Sequence, residues 1–283
     1  MSNNTLRRDL HFKCGKFQLD FSLPLIMGIV NITPDSFSDG GQYLQYDAAL
    51  SCAHQLIAEG ANILDLGGES TRPGALAVSV QEELDRVIPV IEGLRGAPIP
   101  LSIDTSKPEV MRAAIAAGAS MVNDINALQN PEALAVVAAS EVAVCLMHKQ
   151  GTPQTMQRQP EYQNVVEEVQ QFLRERITAV QAAGVSQQRI IVDPGFGFGK
   201  TLVHNLALLQ QLKYFAGLGM PLLVGLSHKS MLGAITGQDV AHRVHASVAA
   251  ALLAVERGAN IVRVHDVQAT ADALKVWQAV NAT

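Results

Sequence analysis

The sequence predicts an α/β fold: a single (β/α)8 TIM barrel preceded by a short N-terminal β-hairpin. Two observations predict it directly. Eight short Val/Ile/Leu-rich runs recur along 283 residues, each followed by a polar or Gly/Pro-containing segment and then an apolar pattern of helical period. Most runs are nearly continuous rather than alternating, as parallel strands covered on both faces require. A third observation concerns the joints. Glu59–Asp65, Ala117–Asp124 and Arg257–Asp266 share one pattern, in which a glycine stops a helix in a left-handed conformation and a strand follows within three residues. With right-handed crossovers, eight such units close into a barrel of about 250 residues. A doubly wound open sheet is the alternative.

In chain order, Phe12–Phe21 around Cys14-Gly15 reads as the hairpin, capping the barrel floor. Strands are expected at Leu25–Asn31, Ile63–Gly67, Leu101–Asp104, Met121–Asp124, Ala143–His148, Ile190–Pro194, Leu222–Ser227 and Ile261–His265. Helices are expected at Ala48–Glu59, Val80–Leu94, Glu109–Ala117, Glu132–Ala139, Tyr162–Ala183, Val203–Leu212, Ala241–Arg257 and Ala269–Val280. Residues 1–23 then form an N-terminal segment belonging to the barrel domain, and 24–283 the barrel itself.

Composition excludes several classes of function. Hydrophobic residues make up 48% and charged residues 17%, below the roughly 25% usual for soluble proteins, which excludes disorder driven by charge. A net charge of −5 argues against a general nucleic-acid binder but leaves room for a local basic pocket. Aromatic residues, at 5%, are too few for single-strand stacking platforms. The longest uncharged apolar stretch, Ala246–Val255, is half a membrane span, and the start has no signal-like apolar run, so a cytoplasmic protein is expected. Cys14, Cys52 and Cys145 lie far apart without a C-x-x-C pair and read as buried thiols.

A barrel places its active site at the C-terminal ends of its strands. Those ends offer Asn31, then Asp65 with Glu69 and Thr71-Arg72, Asp104, Asn123-Asp124, His148, Asp193, Ser227–Lys229, and Arg263 with His265. A purely structural barrel needs some polar strand ends, but not a carboxylate, amide or cation at nearly all eight. The long segments 31–41 and 67–75 follow the first two strands and read as lids that close over a reactive intermediate, Arg72 following developing negative charge. The run Asp193–Thr201 is not a P-loop, since Gly195 and Gly199 enclose three residues instead of four, and its even glycine spacing fails the dinucleotide fingerprint as well.

Two mouth carboxylates, Asp104 and Asp193, with the amide of Asn123, suit a flat heterocycle with amino and ring N–H donors, because a carboxylate accepts two parallel hydrogen bonds from such an edge. Lys229 meets that ring from the other side. Arg263 and His265 stand at alternate positions of the last strand, point the same way and can hold a phosphate or diphosphate. Asn31 reads either as a cap or as one ligand of Mg2+, which typically needs only one or two protein ligands beside substrate phosphates. His148 and His228 have core or surface readings beside catalytic ones. No Ser/His/Asp nucleophile set is evident, and loss of diphosphate needs none.

The motifs NITPDSFSDGG (31–41), DLGGESTRPGA (65–75), SIDT (102–105), NDI (123–125), DPGFGFGKT (193–201), GLSHKS (225–230) and RVHDV (263–267) stand in this order, and with them the chain from about Pro24 resembles the bacterial dihydropteroate synthase family. The resemblance implies a pterin-binding barrel that transfers the 6-hydroxymethyl-7,8-dihydropterin group from its diphosphate to 4-aminobenzoate, in an SN1-like reaction of folate biosynthesis. It implies that Asp104, Asn123, Asp193 and Lys229 grip the pterin, with Met147 and Phe198 as neighbours. Arg263, His265 and Thr71 would contact the diphosphate, with Mg2+ held partly by Asn31. Aminobenzoate would lie among Phe37, Thr71, Arg72, Pro73, Phe198, Ser227 and Lys229, where sulfonamides compete. Asp39 would order the first loop and stabilise the cationic intermediate. Catalytic roles thus fall to Asp39, Thr71, Arg72 and Lys229, and a homodimer is implied.

Three other readings compete. A methyltetrahydrofolate-type methyltransferase would keep the pterin-gripping Asp and Asn but need neither the first two loops nor the final Arg-x-His. A class I aldolase would need Lys229 as a Schiff-base lysine of lowered pKa. A catalytically silent pterin-binding paralogue would be expected to lose Asp39, Thr71-Arg72 and Lys229 first.

Overall fold

A computed structural model of the chain describes residues 12–33, 42–70, 74–151, 156 and 160–282. The hairpin is β1 (Phe12–Cys14) and β2 (Phe17–Leu19), antiparallel with Phe12 opposite Leu19. Eight parallel strands follow: β3 (Leu25–Asn31), β4 (Ile63–Gly67), β5 (Leu101–Asp104), β6 (Met121–Asp124), β7 (Ala143–Met147), β8 (Ile190–Asp193), β9 (Leu223–Val224) and β10 (Ile261–Val264). Their order is β8-β7-β6-β5-β4-β3-β10-β9, and a parallel bridge from Val192 to Leu222 joins β8 to the β9 side. The sheet is therefore a nearly closed barrel, not the open doubly wound alternative.

The helices are α1 (Gln42–Ala58), α2 (Val80–Gly93), α3 (Pro108–Ala117), α4 (Pro131–Ala138), α5 (Val165–Ala182), α6 (Leu202–Gln210), α7 (Ser230–Thr236), α8 (Val244–Glu256) and α9 (Val267–Asn281). Two differences from the sequence reading have physical causes. The fifth helix starts at Val165 rather than Tyr162, because the Asn164 side chain accepts from the backbone N–H groups of Val166 and Glu167 and so caps the helix there. The seventh strand is two residues long rather than six. Past Val224 the chain turns, with Lys229 N–H donating to Leu226 O and His228 at φ +56°, and enters the short α7 that the sequence reading lacked.

Alternation along the strands sorts side chains into two cores. Ile26, Val30, Leu64, Leu66, Ile103, Val122, Val144, Leu146, Val192, Val224 and Val262 pack outward with the helices. Met27, Ile63, Met121, Ala143, Cys145, Ile191, Leu223 and Ile261 fill the barrel floor together with Phe12, Cys14, Leu19 and Phe21 of the hairpin segment. The hairpin is a plug: Phe12 and Phe21 meet edge to face at 5.4 Å, and Cys14 Sγ donates to Ser120 O at 3.4 Å. Burial pushes the Cys14 thiol up to about 12, so it stays a neutral packing group.

Candidate active site

Two residues beyond the floor, the inward positions become polar. On β4 Ile63 is followed by Asp65, on β6 Met121 by Asn123, on β8 Ile191 by Asp193 and on β10 Ile261 by Arg263. Register places Asp104 beside Asn123 and Gly67 beside Asp104. Arg263 reaches across this layer: Nε donates to Asp65 Oδ2 at 2.6 Å and Nη2 to Asp104 Oδ2 at 2.8 Å. Asn123 Nδ2 donates to the same Asp65 oxygen at 3.0 Å. Each buried carboxylate thus spends one oxygen on Arg263. Asp65 Oδ1 and Asp104 Oδ1 are buried with no hydrogen-bond partner among the described residues.

The charges tune one another. Burial raises Asp104 to about 7, against the pull of Arg263 and with help from the charge of Asp65. Burial works against the guanidinium of Arg263, but Asp65, Asp104 and Asp193 more than offset it and hold the group above its ordinary value. Burial likewise raises Asp193 to about 6, opposed first by the Gly195 N–H donated to its Oδ1 at 2.7 Å.

After β8 the chain folds tightly against the end of β7. Gly195 has φ +69°, and a Cβ there would lie 1.9 Å from His148 O, so only glycine fits. The turn presents Phe198, whose ring centroid lies 4.1 Å from Lys229 Nζ. Met147, the last residue of β7, pairs in register with Asp193. At the rim Ser227 Oγ and His265 Nδ1 are 2.9 Å apart, and His265 N–H donates to the same hydroxyl at 3.2 Å. Asn31 ends β3 half-buried, beside Gly67. Among the described residues no group of three His, Cys, Asp or Glu is arranged to hold a metal ion. A lone amide oxygen suits Mg2+ only as an ion shared with substrate phosphates.

Other strand-end residues face elsewhere. Glu69 bonds Lys107 at 2.6 Å and Val78 N–H at 3.0 Å. Asp124 accepts the N–H groups of Asn126 and Leu128. His228 ties Asp266 and Val240 O together, a loop clamp rather than a catalytic histidine. Buried His148 is held neutral, near about 2, by burial and by the ammonium of Lys200. Phe37, Asp39, Thr71, Arg72 and Pro73 lie outside the described residues.

Sequence reasoning gave two residues no role. Asp65 reads from the sequence only as a polar strand end, but its bonds to Asn123 and Arg263 join these residues into one network. Lys200 has no role in a run that fails the P-loop spacing, although a lysine closing a glycine-rich run is a signal in itself.

The family model described as pterin binding enzyme matches residues 27–265. The dihydropteroate synthase of Haemophilus influenzae is 52% identical over 262 residues, covering 92% of this chain and 95% of that protein. The Xanthomonas albilineans dihydropteroate synthase with 4-aminobenzoic acid superposes with a TM-score of 0.92 at 53% identity, covering 97% of this chain and 99% of the other. The Burkholderia cenocepacia enzyme complexed with 7,8-dihydropteroate gives 0.88 at 53% identity, with 96% of each chain covered.

Proposed function

The chain belongs to the pterin-binding enzyme family, and from that premise we propose how its mouth carries out the dihydropteroate synthase reaction. The reaction condenses (7,8-dihydropterin-6-yl)methyl diphosphate with 4-aminobenzoate to give 7,8-dihydropteroate and diphosphate, a step of folate biosynthesis. One observation carries the site assignment: a buried carboxylate oxygen on Asp104, without a partner among the described residues, stands beside a cation, Arg263, already tied into the same network. The pterin edge donates its N–H groups to Asp104 and Asp193, and Asn123, steadied by Asp65, completes the edge recognition. Burial makes that pairing selective, because a ring lacking the donors leaves charge unpaired.

The C–O bond to the diphosphate breaks heterolytically, its electron pair leaving with the diphosphate, which Arg263 and His265 hold as charge develops. Ser227 fixes the His265 ring through Nδ1. The aminobenzoate ring packs beside Phe198 and Lys229, and its amine attacks the exocyclic methylene and releases a proton to water. The aromatic face of Phe198 lies under the Lys229 ammonium, which grips the pterin in this reading. Asn31 would hold Mg2+ together with the diphosphate, and the ion would add positive charge at the leaving group. The family resemblance gives Phe37, Asp39, Thr71, Arg72 and Pro73, which lie outside the described residues, roles toward aminobenzoate, with which sulfonamides compete.

The methyltransferase reading is disfavoured by 52% identity to the dihydropteroate synthase of Haemophilus influenzae over 92% of the chain. Among the described lysines, the one pushed down to about 7 is Lys200, enclosed by carbonyls rather than open to a ketone, which disfavours an aldolase. No described helix is long and apolar enough to cross a membrane. A cytoplasmic location is supported by three free cysteines. A homodimer through α6–α8 is supported by the exposed apolar residues Val203, Leu206, Ile235 and Leu253 on these neighbouring helices. A coupled assay with dihydropterin diphosphate, 4-aminobenzoate and Mg2+ tests the reading: diphosphate is released in step with dihydropteroate, and no release from folded protein would overturn it.

A further inference from the structure

The molecule contains a buried cation that the reaction just described does not use. Lys200 closes the glycine-rich turn and is 2% exposed. Its Nζ lies 2.9 Å from Gly195 O, 3.1 Å from Phe198 O, 2.9 Å from His148 Nδ1 and 3.4 Å from His148 O. Three carbonyls and a ring nitrogen therefore converge on one ammonium, and they come from two segments: the end of the β7 strand and the turn after β8. The turn is seated closely enough that a Cβ on Gly199 would lie 2.4 Å from Gln150 O. Tyr162 Oη donates to Gly199 O at 2.9 Å on its outer side. Three carbonyls from two segments point at one place, and Lys200 supplies donors to all three.

We propose that Lys200 is a positioning residue for the aminobenzoate half of the reaction: its ammonium locks the turn Gly195–Phe198 onto β7 and so fixes the Phe198 ring on which the Lys229 ammonium rests. The inference rests on the reading that Phe198 and Lys229 flank aminobenzoate. Lys200 touches neither substrate and acts through those two side chains. Burial pulls Lys200 down to about 7 against the charge of Asp193, and its N–H groups reach the surrounding carbonyls whether or not it carries the extra proton.

The test compares steady-state kinetics of wild type, Lys200→Met and Lys200→Ala. A displaced aromatic wall raises KM for 4-aminobenzoate by of the order of tenfold to a hundredfold, while the affinity for free pterin changes far less. Methylammonium added to Lys200→Ala brings that KM back toward the wild-type value, and sodium at equal ionic strength does not. A merely structural lysine would instead lower kcat in proportion to the folded fraction and leave both KM values unchanged. That outcome, or equal weakening of both substrates, would overturn the proposal. Should these variants not fold, Lys200→Arg keeps a cation in the cage on a longer arm and must still raise the aminobenzoate KM selectively; a wild-type KM there counts against the idea. Wild-type enzyme that releases no diphosphate would defeat the functional reading instead, so the two failures are distinguishable.

Discussion

The floor and the mouth of this barrel are built by the same strands, two residues apart, and they obey opposite rules. At the floor Met27, Ile63, Met121, Ile191 and Ile261 meet the hairpin plug in an apolar cluster whose large side chains are fully buried. At the mouth, Asp65, Asp104 and Asn123 are buried too, yet two carboxylate oxygens have no hydrogen-bond partner among the described residues, and burial pushes Asp104 up to about 7. A buried unpaired acceptor costs about 1–3 kcal/mol, so the mouth carries a destabilising arrangement that a ligand relieves. The contrast assigns stability to one end of each strand and recognition to the other, as expected for a barrel enzyme.

Substitutions can break that contrast, and the largest effect is expected at Arg263. Arg263→Ala removes the cation shared by Asp65 and Asp104 and leaves two buried carboxylates facing one another. We expect turnover at low dihydropterin diphosphate to fall by about a thousandfold or more and affinity for free pterin to fall much less; calorimetric titration of both ligands checks this, and equal losses would contradict the assigned role. Gly195→Ala comes next. With φ +69° and no room before His148 O, it must displace the turn that carries Phe198, and activity should drop by of the order of a hundredfold. Gly237→Ala, at φ +72° but in open space, should cost only about 1 kcal/mol of stability and leave kinetics intact. At the floor the effect changes kind: Phe12→Ala should cost roughly 3–5 kcal/mol in urea denaturation, with kcat/KM per folded molecule unchanged.

The smallest effect is on pH dependence. Asp104 and Asp193 have folded values of about 7 and about 6, above the roughly 4 of an unfolded carboxylate. The folded state therefore binds the proton more tightly, and the stabilising contribution of the protonated acids is complete below about pH 4 and lost as pH rises through about 6–7. Wild-type stability from these groups falls across that window. Asp104→Asn and Asp193→Asn should each flatten the fall, measured as the slope of unfolding free energy between pH 4 and 7. A variant slope as steep as wild type would show that the shift lies elsewhere.

Much of this was legible in the sequence because it rests on periodicity. The eight strand cores, the floor-capping hairpin and the left-handed glycines at Gly60, Gly118 and Gly258 follow from patterns within a few residues. The polar strand ends were legible for the same reason, since a residue type at the end of a Val/Ile run is local information. Partners were not. Asp65 and Asp124 both follow strand residues, yet one meets Arg263 across the barrel and the other turns back to its own loop at Asn126 and Leu128. Glu69 was read with the mouth, but Lys107 holds it at the rim of α2 beside Glu83. Lys200 shows the limit most sharply, since its acceptors on His148 are fifty-two residues away in sequence. Tertiary pairing decides each of these cases, and spacing alone does not encode it.

The most direct test of the central claim, that the buried carboxylates of the mouth read the pterin edge, is a crystal structure of this chain with 7,8-dihydropteroate bound. Pterin N–H groups are expected about 2.7–3.2 Å from Asp104 Oδ1 and from the Asp193 carboxylate, with the aminobenzoate ring against Phe198. A pterin seated away from these groups, or an Asp104 Oδ1 still without a partner in the complex, would contradict it.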